Sequence, residues 1–361
     1  HVITTEQLAW YRHRQADTSV SDEDLRQNQP WLAEDAFVMT GSSFFQVRLV
    51  QKFLQHLYTN PDIEAYSGYK FYLANNFLHC KMEQVLTNKA EVELKIWEEP
   101  MRTGIYAIGC DPAWGRGGTR DRHGISVWRC YADCIVQVAE YVSNSVDTRQ
   151  VAWVLAYIAG AYRDCTLNIE ISGGSGLAVL SEFKSLKLQL QTQTFQETKR
   201  DAQWEDFLAQ ARWYLNRRYD STTGASSLTQ WSTTRTNKFE IMNQLRDTMA
   251  KDELFVHSIE LLKEMSNTIQ TDGSIEAPGR NKDDRVMAAA LAIRVWIDIL
   301  RPGMMQSNAT YDAVRAAESG APLTGMEDMA GRMVKDFFKR AEERALEGPQ
   351  PPAWMKARGL V

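Results

Sequence analysis

The segment "GIYAIGCDPAWGRGGTRDRHGISVWRCYADCIVQVAEYV" (104–142) contains three apolar runs of strand length. They are "GIYAIGCD" (104–111), "GISVWRCY" (124–131) and "CIVQVAEYV" (134–142), and only two residues separate the last two runs. A parallel crossover needs a dozen or more residues, whereas antiparallel strands can be joined by a tight turn. The segment therefore predicts a meander of three antiparallel strands.

The sequence downstream alternates between helical and strand-like stretches. Helical periodicity, with Asp147 as a possible N-cap, predicts a helix over 147–164. "CTLNIE" (165–170) predicts a strand, "GSGLAVLSEFKSL" (174–186) predicts a helix, and "LQLQT" (188–192) is a further candidate strand. Such alternation is typical of α/β proteins in which helices flank the sheet. We therefore expect an α/β fold with the meander and further strands in one sheet.

Acidic residues follow two of the predicted strands. Asp111 follows "YAIGC" and Glu170 follows "TLNI". If these strands are parallel neighbours, both side chains lie at the edge where open α/β sheets bind ligands. Asp283 and Asp284 begin an alanine-rich helix, whose small side chains would allow it to lie close to the sheet. The first turn of that helix would bring a third carboxylate to the same edge.

Structural roles for these acids remain open alternatives. Aspartate is common in turns at strand ends, and Asp283 could cap its helix. Glu170 fits a structural role less well, because glutamate is a poor turn former and its neighbours are apolar residues and glycine. Carboxylates that converge in a partly buried place resist ionisation, and Mg²⁺ or Mn²⁺ removes that cost. Two such ions about 4 Å apart can activate a water and stabilise the leaving oxygen of a phosphodiester.

Basic residues concentrate in one stretch of an otherwise acidic chain. Residues 207–246 contain six basic residues against two acidic ones, although the whole chain carries a net charge of −5. The centre of this stretch is rich in Ser, Thr and Gly, as in a loop or exposed hairpin. The separate loop "GRGGTRDR" (115–122) lacks the Gly-Lys-Ser/Thr ending of a P-loop, so we expect no ATPase activity. Its Arg116, Arg120 and Arg122 could contact phosphates or could belong to a solvated loop.

The composition is that of a soluble globular protein. Of the 361 residues, 44% are apolar and 24% are charged, and the net charge of −5 excludes a uniformly basic nucleic-acid binder. The five cysteines show no zinc spacing and favour a reduced, cytosolic state. No apolar run of about 18 residues suits a membrane span, and no signal peptide is recognisable. Because the chain starts at His1 rather than Met, we expect a fragment of a longer protein.

Four motifs together resemble one protein family. They are "AIGCDPAWG" (107–115), "IEISGGSGLAVL" (169–180), "WSTTRTNKFEIMNQLRD" (231–247) and "APGRNKDDRVMAAALA" (277–292). In this order and context they are similar to the C-terminal nuclease domain of the large terminase subunit of tailed phages, in the ribonuclease H-like superfamily. The resemblance covers roughly 30–300. It implies a ribonuclease H-like mixed sheet and an extra β-hairpin within the basic stretch.

The resemblance also implies roles for individual residues. Asp111, Glu170 and the pair Asp283 and Asp284 match the ligands of two Mg²⁺ or Mn²⁺ ions, with Asp284 favoured as the main ligand of the pair. Many relatives have histidine where this chain has Lys282, which could instead contact phosphate. The residues expected to bind DNA are Arg116, Arg217, Arg218, Arg235, Lys238 and Lys282.

The implied activity is a metal-dependent endonuclease that cuts concatemeric double-stranded viral DNA during genome packaging by a two-metal mechanism. The implied partners are double-stranded DNA, the terminase ATPase motor, the small terminase subunit and the portal or procapsid, in the cytoplasm of an infected bacterial host and without a membrane. We expect residues 1–43 to couple to the motor, 44–302 to form the nuclease domain and 303–361 to form a tail with one helix near 327–346. The last core helix is expected over 283–300, where Pro302 and Gly303 end it. Two alternatives remain: a nuclease similar to Holliday-junction resolvases, and a non-catalytic module that docks DNA or the portal.

Overall fold

The computed structural model describes residues 4–15, 42–73, 81–101, 103–114, 122–190, 211–219, 226–271, 274–278 and 281–319. The strands in this part are β1 (Ser42–Ser43), β2 (Ser67–Tyr72), β3 (Lys81–Gln84), β4 (Leu94–Ile96), β5 (Tyr106–Asp111), β6 (His123–Cys130), β7 (Ile135–Ser143), β8 (Cys165–Ile169), β9 (Arg212–Trp213), β10 (Asn216–Tyr219), β11 (Ser226–Thr229), β12 (Leu254–Phe255), β13 (Ile269–Thr271) and β14 (Ser274–Glu276).

The α-helices in the same part are α1 (Thr5–Gln15), α2 (Val47–Thr59), α3 (Pro61–Glu64), α4 (Thr148–Ala161), α5 (Gly174–Leu190), α6 (Arg235–Ala250), α7 (Ile259–Ser266), α8 (Asp284–Val295), α9 (Arg301–Gln306) and α10 (Tyr311–Ser319). A 3₁₀ turn spans Lys89–Glu91, and a π-helical segment, Trp296–Leu300, joins α8 to α9.

The main sheet has the predicted topology. Its strand order is β3-β2-β4-β7-β6-β5-β8-β9, and β12 pairs with β7. Strands β5, β6 and β7 are antiparallel neighbours, and β8 runs parallel to β5. Strands β10 and β11 form a separate antiparallel hairpin. The expected mixed sheet, with its three-stranded antiparallel meander and a parallel strand, and the extra hairpin are therefore confirmed.

Both faces of the central strands are covered by helices. Tyr106, Ile108 and Cys110 alternate along β5 and pack into the same cluster as α4 and α5. Ala107 points to the opposite face and packs into the cluster that contains α6, α7 and α8. Because side chains alternate between the two faces of a strand, a nearly continuous apolar run is what a sheet covered on both sides requires. None of the described helices is long and apolar enough to cross a lipid bilayer.

The start of α4 follows the sequence prediction. The Asp147 carboxylate accepts a hydrogen bond from the Gln150 backbone N–H at 2.9 Å, and the Gln150 side chain accepts one from the Asp147 N–H at 3.2 Å. This reciprocal capping box satisfies two amides that have no partner within the helix. The predicted cap at Asp147 is therefore confirmed.

The candidate strand at 188–192 is wrong over its first three residues. Helix α5 continues to Leu190, and the neighbour of β8 is β9 instead. Short apolar runs do not separate helix from strand by periodicity alone, and no glycine or proline stands between Leu177 and Leu190 to end the helix. Residues 191 and 192 lie outside the described residues.

The predicted helix end at Pro302 is also wrong. Pro302 lies in the first turn of α9, where its missing N–H would have no partner within the helix. Beyond it, Met304, Ala309 and Val314 are buried in the main cluster. The division into 1–43, 44–302 and 303–361 stays a prediction, but a boundary at 302 would cut through packed structure. The helix expected near 327–346 lies outside the described residues.

Helix α8 lies very close to the sheet at Gly109 of β5. A Cβ atom at this position would lie 1.9 Å from the Ala288 carbonyl oxygen and 2.7 Å from the Ala292 nitrogen. Both of those atoms belong to the backbone of α8, so a small side-chain movement cannot relieve the contact. Helix α8 therefore lies backbone against backbone on the central strand.

This contact predicts that Gly109→Ala destabilises the protein by about 3 kcal/mol or more, because the added methyl group meets helix backbone. Gly303→Ala is the matched control, since a Cβ there has no neighbour within 4 Å. We expect Gly303→Ala to keep the free energy of unfolding or to raise it by up to about 1 kcal/mol. Chemical denaturation of the two variants measures both values, and equal stabilities would contradict the packing argument.

Candidate active site at the carboxyl ends of the central strands

Two of the predicted acids lie side by side. Asp111 is the last residue of β5, and Glu170 directly follows β8. The strands are parallel with Cys110 opposite Ile169, and the Glu170 backbone N–H donates to the Cys110 carbonyl at 3.0 Å. Both side chains therefore leave the sheet at the carboxyl ends of neighbouring parallel strands, as the sequence predicted.

Helix α8 brings the remaining two acids to the same edge. Gly124 of β6 pairs directly with Asp111. A Cβ atom on Gly124 would lie 2.7 Å from the Asp284 carbonyl oxygen. The start of α8 therefore lies against the strand pair that carries Asp111, and Asp284 is only 6% exposed there.

The electrostatics of the site are clearest at Asp111, on which the other three carboxylates act. The pKa of Asp111 is raised well above its usual range, first by burial and then by the negative charge of Glu170. The charge of Asp284, a hydrogen bond with Glu170 and the charge of Asp283 raise it further. The other three acids expected at the site therefore all influence the Asp111 carboxyl group, which is the condition under which a divalent cation is favoured.

The carboxylates are not yet arranged around a common point. Within the described ranges, no group of three or more His, Cys, Asp or Glu side chains is arranged to hold a metal ion. Asp284 and Asp283 are instead engaged with basic side chains, as described next. The donor chemistry fits hard divalent cations, since every candidate ligand offers carboxylate oxygen, and binding requires the α8 acids to exchange or share these basic partners.

Asp284 belongs to a half-buried network of ion pairs. Its Oδ2 accepts from Arg122 Nε at 2.9 Å, and Arg122 Nη2 also donates to Glu264 Oε1 at 2.5 Å. Arg285 bridges Glu264 at 2.7 Å and Glu140 at 2.8 Å. Burial raises the pKa of Asp284, and Arg122 acts in the opposite direction. Arg122 therefore joins two carboxylates rather than lying in a solvated loop, and its contact with phosphate stays a prediction.

Asp283 has a different partner. It occupies the N-cap position of α8, but its side chain makes no capping hydrogen bond. Its φ of −123° and ψ of 14° depart from the extended backbone that lets a cap side chain reach the first amides of a helix. Lys238 Nζ lies 3.2 Å from its Oδ2 instead, with both side chains about a quarter exposed, at 25% and 26%. The capping role is therefore wrong, although the helix starts at the predicted residue.

The basic residues expected to bind DNA lie in several places. Lys238 is in α6, Arg235 is the exposed first residue of that helix, and Lys282 directly precedes Asp283. Arg217 and Arg218 lie in β10 of the separate hairpin. Arg116 lies outside the described residues. The pairing of Lys238 with Asp283 places the side chain of Lys238 beside the acids, and DNA binding by the whole set stays a prediction.

His123 holds the turn that follows Asp111. Its Nδ1 accepts from the Ala113 backbone N–H at 3.1 Å, and its Nε2–H donates to the Val146 carbonyl at 3.0 Å. Burial lowers the pKa of His123, so the neutral ring that this bonding requires is favoured. Ser175 also braces the turn by donating to the Pro112 carbonyl at 3.1 Å. Sequence analysis did not identify these supports, because no local pattern links His123 or Arg122 to its partners.

Comparison with known proteins gives distant structural likeness. No family model and no curated protein matches this sequence. The solved large terminase nuclease from thermophilic phage G20c with bound magnesium is 14% identical with a TM-score of 0.40, over 71% of this chain and 98% of that one. The terminase nuclease domain of human cytomegalovirus is 12% identical with a TM-score of 0.35, over 54% of this chain and 84% of that one. The chain is thus similar to terminase nuclease domains, and the functional argument comes from its own site.

Arg122→Gln should lower the free energy of unfolding by about 2–3 kcal/mol in metal-free buffer, because it leaves Asp284 without its cation and removes one of two from Glu264. Arg149→Gln is the control, since Arg149 pairs with Glu182 through a side chain that is 61% exposed. That variant should lose less than about 1 kcal/mol. Urea denaturation in EDTA measures the free energy of unfolding of both variants. Equal losses would mean that the Arg122 network adds no more stability than an exposed ion pair.

Proposed function

We propose that this protein is a metal-dependent endonuclease that cuts double-stranded DNA. The observation that carries the proposal is that Asp111, Glu170 and the first residues of α8 lie at one edge of the sheet, where burial and the other three acids raise the pKa of Asp111. A structural role does not explain why four carboxylates are gathered where they repel one another. A site for divalent cations does, because the ions compensate the repulsion.

The position of each site residue determines its proposed role. Asp111 and Glu170, held by paired strands, supply rigid ligands, and Asp284 supplies the third from the buried first turn of α8. When bound, two Mg²⁺ or Mn²⁺ ions would activate a water and stabilise the leaving oxygen of the phosphodiester. His123 holds the turn after β5. Arg122 holds the Asp284 carboxylate.

Recognition of DNA would rest on phosphate contacts. Arg235, Lys238 and Lys282 lie in or next to the elements that carry the acids, and Arg217 and Arg218 lie in the separate hairpin. In a chain of net charge −5, such a local basic surface gives binding that tolerates sequence and falls steeply with salt. Arg116 completes the proposed set.

The motif resemblance supports a place in viral genome packaging. On this proposal the enzyme cuts concatemeric viral DNA in the cytoplasm of an infected bacterium, and it works with a terminase ATPase motor, a small terminase subunit and a portal or procapsid. The four motifs together carry this assignment, and the gathered acids agree with it. A resolvase-like nuclease would share the metal site but would prefer branched DNA, and a non-catalytic docking module would bind DNA without cutting it.

Cleavage should depend on metal and on Asp111. Wild-type protein should nick supercoiled plasmid with Mn²⁺ or Mg²⁺ and should be inactive in EDTA. Asp111→Asn should lose cleavage by orders of magnitude while keeping its fold, because a neutral amide replaces an ionised ligand at a site that the sheet already positions. Agarose gels measure nicking, and circular dichroism checks the fold.

Asp62→Asn is the matched control, since Asp62 is an exposed carboxylate in α3. It should cut like wild type. Wild-type cleavage by a folded Asp111→Asn variant would remove Asp111 from the site. Metal-independent DNA binding without any cleavage by wild type would favour the docking module, and a strong preference for four-way junctions over linear duplex would favour the resolvase-like alternative.

The two α8 acids should differ in their effects. Adjacent helical residues point about 100° apart, so they cannot face one pair of ions equally. Asp284 is buried against the sheet edge, whereas Asp283 is the more exposed of the two. Asp284→Asn should therefore lose cleavage by orders of magnitude, and Asp283→Asn should keep much of it. Plasmid nicking in Mg²⁺ and in Mn²⁺ compares the two variants, and the reverse order would show that Asp283 is the main ligand.

A further inference from the structure

The two acids at the start of α8 pair with different kinds of basic side chain, a guanidinium and an ammonium. Arg122 is hydrogen-bonded to Asp284 and Glu264 together, and the carboxylates of those two residues are only 9% and 10% exposed. Lys238 contacts Asp283 through a single ammonium at 3.2 Å, and both side chains are about a quarter exposed. The first arrangement is fixed by two buried contacts, whereas the second is a solvent-accessible pair that is readily exchanged.

Lys238 is also well placed for a second role. It lies in the first turn of α6, one turn from the exposed Arg235, and it reaches the acid that marks the start of α8. A lysine ammonium is a compact charge on a flexible stem, which suits a side chain that changes partners. In the structure its charge is compensated by Asp283.

We propose that Lys238 is a DNA-phosphate contact that Asp283 withholds until a divalent cation binds. The proposal rests on the proposed nuclease function and adds coupling between the cation and the DNA. A cation bound at the neighbouring acids attracts the Asp283 carboxylate, and Lys238 is then free to turn to the phosphate backbone. Arg122 keeps its contact with Glu264 while Asp284 shares its carboxylate with the cation.

A double-mutant cycle tests this coupling without metal. Asp283→Asn removes the charge that holds Lys238, so it imitates the cation-bound state in EDTA. Lys238→Gln should leave the Kd for a labelled DNA duplex nearly unchanged when Asp283 is present. In the Asp283→Asn background it should weaken binding about threefold or more, and flatten the slope of log affinity against log salt by about one unit. Fluorescence anisotropy at several salt concentrations measures both quantities.

Lys251→Gln is the control, because Lys251 is an exposed residue at the other end of α6. Its effect should be the same in both backgrounds. If Lys238→Gln also has the same effect in both backgrounds, in a protein that binds DNA and cuts plasmid with Mn²⁺, the coupling is overturned while the nuclease function stands. A wild-type protein that neither binds the duplex nor cuts would overturn both.

Calcium ions provide the cation arm of the test. With Ca²⁺ in place of EDTA, the wild-type protein should behave like the Asp283→Asn variant, so that Lys238→Gln now weakens DNA binding. A Lys238→Gln variant that binds as tightly as wild type both in EDTA and in saturating Ca²⁺ would overturn the proposal. Because binding is measured rather than cleavage, loss of activity cannot be mistaken for loss of coupling.

Discussion

The contact of α8 with β5 through Gly109 is the constraint on which the site depends. A helix can lie backbone against backbone on a strand only where neither carries a large side chain, and Gly109 meets the Ala288 carbonyl and the Ala292 nitrogen at distances that exclude a Cβ. Gly124 does the same for the Asp284 carbonyl one strand away. Because α8 lies this close to the sheet, its first turn brings the Asp284 carboxylate to the edge where β5 and β8 end.

Charge compensation within the protein explains how four acids can coexist before a cation arrives. The buried Asp284 shares the Arg122–Glu264–Arg285 network, in which each carboxylate has at least one guanidinium partner. The more exposed Asp283 takes the ammonium of Lys238. Burial first, and then its three acidic neighbours, raise the pKa of Asp111. A cation bound beside Asp111, at the end of β5, would therefore relieve the least compensated carboxyl group of the site.

Features carried by local pattern were predictable from the sequence, and features that depend on distant partners were not. The meander, the Asp147 cap and the parallel pairing of the strands before Asp111 and Glu170 follow from run lengths, connection lengths and capping chemistry. The ion pairs of Arg122 could not be predicted from a local pattern, because its partners are 142 and 162 residues away along the chain. Asp283 does not cap its helix, because its φ and ψ depart from the extended backbone that a capping residue adopts. Pro302 does not end the helix, because a new helical turn starts around it.

The proposed site requires that the acids of β5, β8 and α8 bind divalent cations together. Anomalous diffraction from crystals soaked in Mn²⁺ tests this most directly, because it locates the ions without reference to activity. We expect two anomalous peaks about 4 Å apart, bonded to carboxylate oxygens of Asp111, Glu170 and Asp284. Well-ordered carboxylates with no peak between them, or peaks bound only to acids elsewhere on the surface, would contradict the account.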